Sequence, residues 1–323
     1  MLKIPKTTLL FLLPVLTAAL VTPHAAFGHG FAGKRFFPAT LSTDDPFVSD
    51  ELSLPTISTI VTPDGGGMRD TELSVEISKR ITPNLDIEAG ERFIILDPQS
   101  ERSVNGFGNV ELGAKYEFFE NDEHETVFSL GVGVEIGGAG SKSVGADTFS
   151  TWQPAFFFGK GLGDLPDGLW LLRPLAVTGL IGVAFPTSAR TRTFSVNEET
   201  GASEPDIERH PNVLQYGFAI EYSLTYLQQN VKDVGLRTPL DHLIPLVEFA
   251  FETPLDRGQR GQTTGTINPG IIWFGKFCQL GVEVVIPVNS RSGSDVGVIA
   301  QLHFYLDDLF PHSVGRPLFG RGK

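Results

Sequence analysis

The stretch Asn212–Gln228 constrains the fold more than any other. Read in twos, Leu214, Tyr216, Phe218, Ile220, Tyr222, Leu224 and Tyr226 fall on one face. Gln215, Gly217, Ala219, Glu221, Ser223 and Thr225 fall on the other. Strand side chains alternate between two faces, so this is a strand with an apolar side and a small, polar side. It is longer than the usual strand of about 5–6 residues and satisfies the roughly 9–11 residues that a membrane-spanning strand requires. Large apolar residues outward and small or polar residues inward is the pattern of a transmembrane barrel with a wet interior.

The alternation recurs along the chain. Glu72–Ile81 puts Leu73, Val75 and Ile77 outward and Glu72, Ser74, Glu76 and Ser78 inward. The turn Thr82-Pro83-Asn84 leads to Leu85–Ile95, with Asp86 and Glu88 inward and a parity break at Glu91 that suits a bulge. Gly106–Glu120 places Glu111, Gly113, Lys115 and Glu117 inward. Asn121-Asp122 turns it into Thr126–Gly137, with Glu135 inward, making a hairpin. Further strands are expected at Leu54–Thr62, Phe149–Gly161, Leu171–Pro186, Leu243–Glu252, Thr264–Phe274, Gln279–Asn289 and Asp295–Leu306. Pro154 and Pro174 weaken the regularity of two of them. The expected fold is all-β, an antiparallel up-and-down transmembrane β-barrel of about 12 strands, an even number as single-chain bacterial barrels require.

Connection lengths support the meander. Residues 82–84, 121–125 and 275–278 are short and belong on one side, whereas 96–106, 138–148, 187–211 and 254–263 belong on the other and are mostly longer. The connection 229–242 is long yet falls on the short side. Phe118, Phe119, Phe128, Phe158, Trp170, Tyr222, Tyr226, Trp273, Phe274, Phe277, Phe304 and Tyr305 gather toward the short-turn ends, as an interfacial aromatic girdle would.

The N-terminus reads as an export signal. Lys3 and Lys6 precede an apolar run, Leu9–Val21, and Ala26-Phe27-Gly28 offers a cleavage site. That run is shorter than the roughly 20 residues of a spanning helix. Cleavage would remove two lysines and no acid, taking the net charge from −13 to −15. Such a charge argues against a nucleic-acid partner, which needs a basic face. The single cysteine, Cys278, rules out an intramolecular disulfide framework. The expected layout is a signal peptide at 1–28, an irregular periplasmic leader or plug at 29–53, a barrel at 54–308 and a tail at 309–323.

The candidate site is the lumen. Glu111, Lys115, Glu117, Glu135, Glu221, Glu248, Glu252, Glu283 and His303 take the inward parity, with Glu72, Glu76, Asp86 and Glu88 beside them. Charges are costly against lipid and tolerated in a water-filled lumen, and rings of carboxylates favour cation passage. These acids could equally be solvated without a role, or paired with Lys115 across the lumen. No metal-ligand spacing, phosphate loop or nucleophile elbow occurs. His29, a new N-terminus if cleavage follows Gly28, is a weak metal candidate. No metal, no cofactor and no catalytic residue are expected.

Several segments carry a family likeness. Gly106-Phe107-Gly108-Asn109-Val110-Glu111-Leu112-Gly113-Ala114-Lys115-Tyr116 resembles the G-x-G-D-x-x-x-G-x-K-Y strand of the outer-membrane family named for the MetA pathway of phenol degradation. Asn109 stands where that strand usually has Asp. Gln153-Pro154-Ala155-Phe156-Phe157-Phe158-Gly159-Lys160 and Asn268-Pro269-Gly270-Ile271-Ile272-Trp273 are similar to later strands of the same group. The resemblance implies an outer-membrane barrel acting as a transporter or channel. The tail past Leu306 departs from porins that end on a terminal aromatic.

The expectation is therefore a bacterial outer-membrane channel or transporter for small solutes with an acid-lined lumen, with outer-membrane lipid and a small-molecule solute as partners. The rivals are an enzyme at the barrel rim, a closed structural barrel and a soluble secreted β protein.

Overall fold

Twelve long strands pair antiparallel with their sequence neighbours and close on themselves. The computed structural model describes residues 30–63, 67–99, 102–196 and 203–320. The expected signal peptide and His29 lie outside them. The barrel strands are β1 (Glu51–Thr62), β2 (Met68–Thr82), β3 (Leu85–Pro98), β4 (Glu111–Asn121), β5 (Thr126–Glu135) and β6 (Thr151–Gly161). They continue as β7 (Leu175–Pro186), β8 (Val213–Tyr222), β9 (Leu243–Pro254), β10 (Thr264–Phe274), β11 (Cys278–Pro287) and β12 (Asp295–Tyr305). Closure is made by β12 against β1, from Asp295↔Val61 to Tyr305↔Glu51.

Closure leaves no open edge inside the membrane, which a spanning sheet must avoid because unpaired backbone groups are costly in lipid. The outer face follows the alternation. Leu73, Ile77, Ile87, Leu112, Tyr116, Leu130, Ile181, Ile220, Val282 and Val298 are all exposed there. The two ends differ. One carries the tight turns 83–84, 122–125 and 275–277 and both barrel termini, and is called the turn end; the other is the loop end.

Five expectations are corrected. The strand expected over Asn212–Gln228 stops at Tyr222. The Ser223 hydroxyl accepts from the Tyr226 amide at 3.1 Å and caps a helical turn, Leu224–Tyr226. N-capping overrides the alternation here, so Leu224 and Tyr226 leave the outer face. No bulge occurs at Glu91: it pairs with Val75 in a regular ladder, and the one register shift between β2 and β3 lies at Arg80/Thr82. The strand expected over Gly106–Glu120 is broken. Val104–Phe107 pairs with β3, Gly108-Asn109-Val110 leave the ladder, and β4 resumes it.

The long loop 187–211 contains a hairpin, Arg190–Val196 against Ser203–Arg209. Each strand is only seven residues long, too short for a clear apolar alternation to mark it in the sequence. Finally, the aromatic girdle is incomplete. Phe118, Phe119 and Phe128 cluster as expected of neighbours on one surface. Tyr226 and Tyr305 are instead buried, and Phe274 packs at a tilt against Phe36 with centroids 4.5 Å apart.

Candidate functional site

The lumen is not empty at its turn end, because residues 30–50 fold into it. Phe31–Ala32 and Arg35–Phe36 form a small ribbon, and the chain then runs up to Asp45 and back to β1. Two apolar clusters seat this segment. Phe36 and Leu41 pack with Ile244, Leu246, Ile272, Val285, Ile299 and Tyr305 from β9–β12. Ala32, Phe37 and Phe47 pack with Val127 and Ala176 from β5 and β7. Each fully buried Phe or Leu contributes about 1.5–3 kcal/mol. Inward glycines admit the segment: a Cβ on Gly281 would lie 2.6 Å from Leu41 Cδ1, and one on Gly217 would lie 2.7 Å from Thr43 Cγ2.

Polar contacts fix the register of this plug. The Glu248 carboxylate accepts from the amides of Leu41 (2.7 Å), Ser42 (3.0 Å) and Thr43 (2.7 Å) and from the Thr43 hydroxyl (2.9 Å). Successive amides converging on one anion form a nest. Gln279 donates to the Ala39 carbonyl at 2.5 Å and accepts from Tyr305 at 3.0 Å. Lys115 Nζ reaches Asp44 at 3.0 Å and Glu88 at 3.2 Å.

At the turn end Arg35 is fully buried. Its guanidinium donates to Glu125 (3.1 Å) and to the carbonyls of Pro174 (2.7 Å) and Arg173 (2.5 Å), and lies 3.6 Å from the Tyr226 ring centroid. Burial, with Glu125 nearby, pushes the Tyr226 phenol up to about 12. Asp50 closes the plug against β1 and β2, with Arg80 Nε at 2.8 Å and Lys79 beside it.

Above the plug is a well of about 940 Å³, floored by Ala39–Asp45 and reaching Arg291 and Ser292 at the loop end. Of the sequence-expected lumen residues, Glu111, Lys115, Glu135, Glu252 and His303 border it. Glu117, Glu221, Glu248 and Glu283 do not border it and are buried, as Lys115 and His303 are too. Glu221 accepts from Thr178 at 2.8 Å, while Glu248 and Glu283 both meet Ser42 of the plug. His303 bonds Ser53 at 2.9 Å and pairs with Glu51. Glu252 accepts from Gln215 at 3.0 Å.

Sequence reasoning missed Arg92, which bridges Glu111 (2.7 Å) and Glu135 (3.9 Å). It also missed Arg35, Asp44 and Asp50, which sit in an aperiodic stretch. Among the described residues no cluster of three or more acidic, His or Cys side chains is arranged to hold a metal.

The well has two unlike walls. Across β12–β1–β2–β3, one inward row runs Gln301–Thr56–Ser74–Arg92. The next runs His303–Ser53–Glu76–Gly90 and continues to Glu111 on β4. The opposite strands bring their apolar inward residues to the plug. The fold and its lumen thus define a transmembrane β-barrel whose turn end is filled by its own N-terminal segment and whose loop half holds a polar well.

Its likeness is to outer-membrane channels. An outer membrane channel from Pseudomonas putida F1 matches with a TM-score of 0.52 at 10% identity, over 84% of this chain and 99% of that one. The NanC porin matches with a TM-score of 0.43 at 7% identity, over 78% and 98%. The KdgM porin gives 0.41 at 13%, over 77% and 98%. The first of these establishes a shared fold. No family model and no curated protein matches the sequence, so the MetA-pathway resemblance is carried by the quoted motifs alone.

Proposed function

We propose that the chain is a bacterial outer-membrane channel or transporter for small solutes, exported by the signal peptide at 1–28, biased toward cations and gated by residues 30–50. The observation that carries this reading is the well itself: a polar chamber enclosed by a lipid-facing barrel, its floor a segment of the same chain. A purely structural barrel has no need of such a chamber. The resemblance of residues 106–116 to MetA-pathway strands points the same way.

The bias follows from charge. The well is bordered by nine acidic side chains, of which Asp45 is held toward its neutral form by burial, and by Arg92, Lys115 and Arg291 as fixed cations. A low-dielectric wall focuses that excess, raising the local concentration of counter-ions. The plug is held by hydrogen bonds, ion pairs and apolar contacts, all of which can break without disturbing the barrel ladder.

The test is conductance of the signal-less protein in a planar bilayer, with the reversal potential read in a salt gradient. Cation-selective steps are expected, shifting toward anions in the Glu111→Gln, Glu135→Gln double variant. A Ser42→Cys, Asn268→Cys pair would tether plug to wall, since Ser42 Oγ lies 2.6 Å from Asn268 Nδ2. Oxidation should lower conductance and reduction restore it. Silence from folded protein in both redox states would favour a closed barrel instead.

A further inference from the structure

The acidic wall carries an inference that rests on the channel reading and names the solute class. Glu76 lies mid-wall with its side chain exposed to the well. Among the described residues its carboxylate accepts no hydrogen bond and has no cation at ion-pair distance. The neighbouring anions differ: Glu88 is paired with Lys115, and Glu111 with Arg92. Glu76 is therefore a carboxyl group without a hydrogen-bond or ion-pair partner that borders the open space.

A second, independent feature belongs to a residue that borders the same space. Gln301 is only 9% exposed and borders the well. Its amide nitrogen donates to Thr56 at 3.2 Å, but its buried Oε1 has no partner in the structure. An unsatisfied buried acceptor costs about 1–3 kcal/mol, so an oxygen left without a donor calls for one from outside the chain. The register places Gln301 two strands from β2, one inward row from Glu76. With strands about 4.8 Å apart and inward residues about 7 Å apart along a strand, the two groups can bracket one small molecule. Gly90, next to Glu76 on β3, keeps the wall low: a Cβ there would meet nothing closer than 3.6 Å.

We propose that the well binds, saturably, a small organic cation bearing several N–H donors, a primary ammonium or guanidinium group, with its charge on Glu76 and a donor on Gln301 Oε1. A carboxylate accepts charge-assisted hydrogen bonds from such a group, and the amide oxygen accepts one more. A quaternary ammonium of similar charge has no N–H to give either oxygen. Recognition is thus by donors as well as by charge, and passage is by way of an occupied site, beyond diffusion through a charged pore.

The test is calorimetric titration of the full barrel in detergent with guanidinium, n-butylammonium and tetramethylammonium chlorides. One saturable site is expected for guanidinium or n-butylammonium. Binding should weaken by about ten-fold or more in Glu76→Gln and in Gln301→Met, and be weaker by a similar factor for tetramethylammonium. Glu76 makes no side-chain hydrogen bond or ion pair among the described residues, so its variant should keep the barrel intact, and Gln301→Met preserves volume as a second probe. Absence of saturation with folded protein, equal affinity for tetramethylammonium, or affinity unchanged in both variants overturns the site. Bilayer conductance is read separately. Cation-selective conductance without saturable binding rejects the site and leaves the channel reading intact; saturable binding without conductance supports the site and rejects the channel.

Discussion

Thr43 gives both its amide N–H and its hydroxyl to one oxygen of Glu248, at 2.7 and 2.9 Å, although the two residues are 205 positions apart. With the Leu41 and Ser42 amides, this makes Glu248 the point at which barrel wall and plug are joined. Its side chain is fully buried, so the carboxylate is affordable only because four donors surround it.

Replacing Glu248 by Ala removes the acceptor and strands three amides. Each buried donor left unmade costs about 1–3 kcal/mol, so plug docking should weaken by several kcal/mol while the barrel ladder survives. The expected result is protease sensitivity and fast amide exchange confined to residues 30–50, with heat-resistant barrel migration retained. Global loss of the barrel would show instead that the plug is required for its folding.

Arg35 is the second fastener. Arg35→Lys keeps a positive charge but cannot serve Glu125 and two carbonyls in fixed directions, because the ammonium lacks the planar fork. Breaking a buried pair from one side costs about 3–5 kcal/mol. Arg35→Ala should approach that loss and Arg35→Lys should fall between it and the parent. The measurement is exchange protection at the ribbon Phe31–Phe36, and equal protection in all three proteins would refute the assignment.

Asp45 makes docking depend on pH. Burial raises its carboxyl well above the ordinary range, Lys115 opposes this, and Glu51 and Asp44 add to it; the Phe47 amide donates to the carboxylate at 2.8 Å. A carboxyl whose pKa is higher in the docked state binds more protons there than when released. Docking therefore weakens as pH rises from the released-state value through the docked one. Plug amides should exchange more slowly near pH 5 than near pH 7 after correction for intrinsic exchange. Asp45→Asn should flatten that slope. A slope of opposite sign, or one unaltered in the variant, would contradict the account.

The barrel was legible in the sequence because alternation is local: Glu111, Gly113 and Lys115 against Leu112, Ala114 and Tyr116 state both faces of a strand within six residues. The plug was not, because its partners are remote. Leu41 and Glu248 are 207 positions apart, and residues 30–50 have no period to reveal which side chains point where. One signal was present. Ile244, Leu246, Ile272 and Ile299 occupy inward parity, where a water-filled lumen would favour polar groups. Apolar residues on the inner face require an apolar cover, and the phenylalanines before β1 supply it. Arg92 was obscured by the supposed bulge at Glu91, which would have turned it away from Glu111.

Asn109 offers the sharpest test of the loop end. It is 1% exposed; Nδ2 donates to Glu135 at 2.8 Å and to the Asp147 carbonyl at 3.0 Å, and Oδ1 accepts from Gly140 at 2.9 Å. Both ends of the amide are thus used, and the break in the ladder at Gly108–Val110 is what turns this side chain toward the loop. An Asp here could still accept from Gly140, but it would have no proton for Glu135 and would set two carboxylates together. Asn109→Asp should therefore loosen loop 138–150 by about 1–3 kcal/mol at neutral pH. The penalty should shrink in acid, because protonating either carboxyl restores a donor. Exchange protection at Gly140 at two pH values reads both effects. A loop unchanged at neutral pH would mean that water replaces the lost donor and that the Asn109–Glu135 contact does not hold the loop.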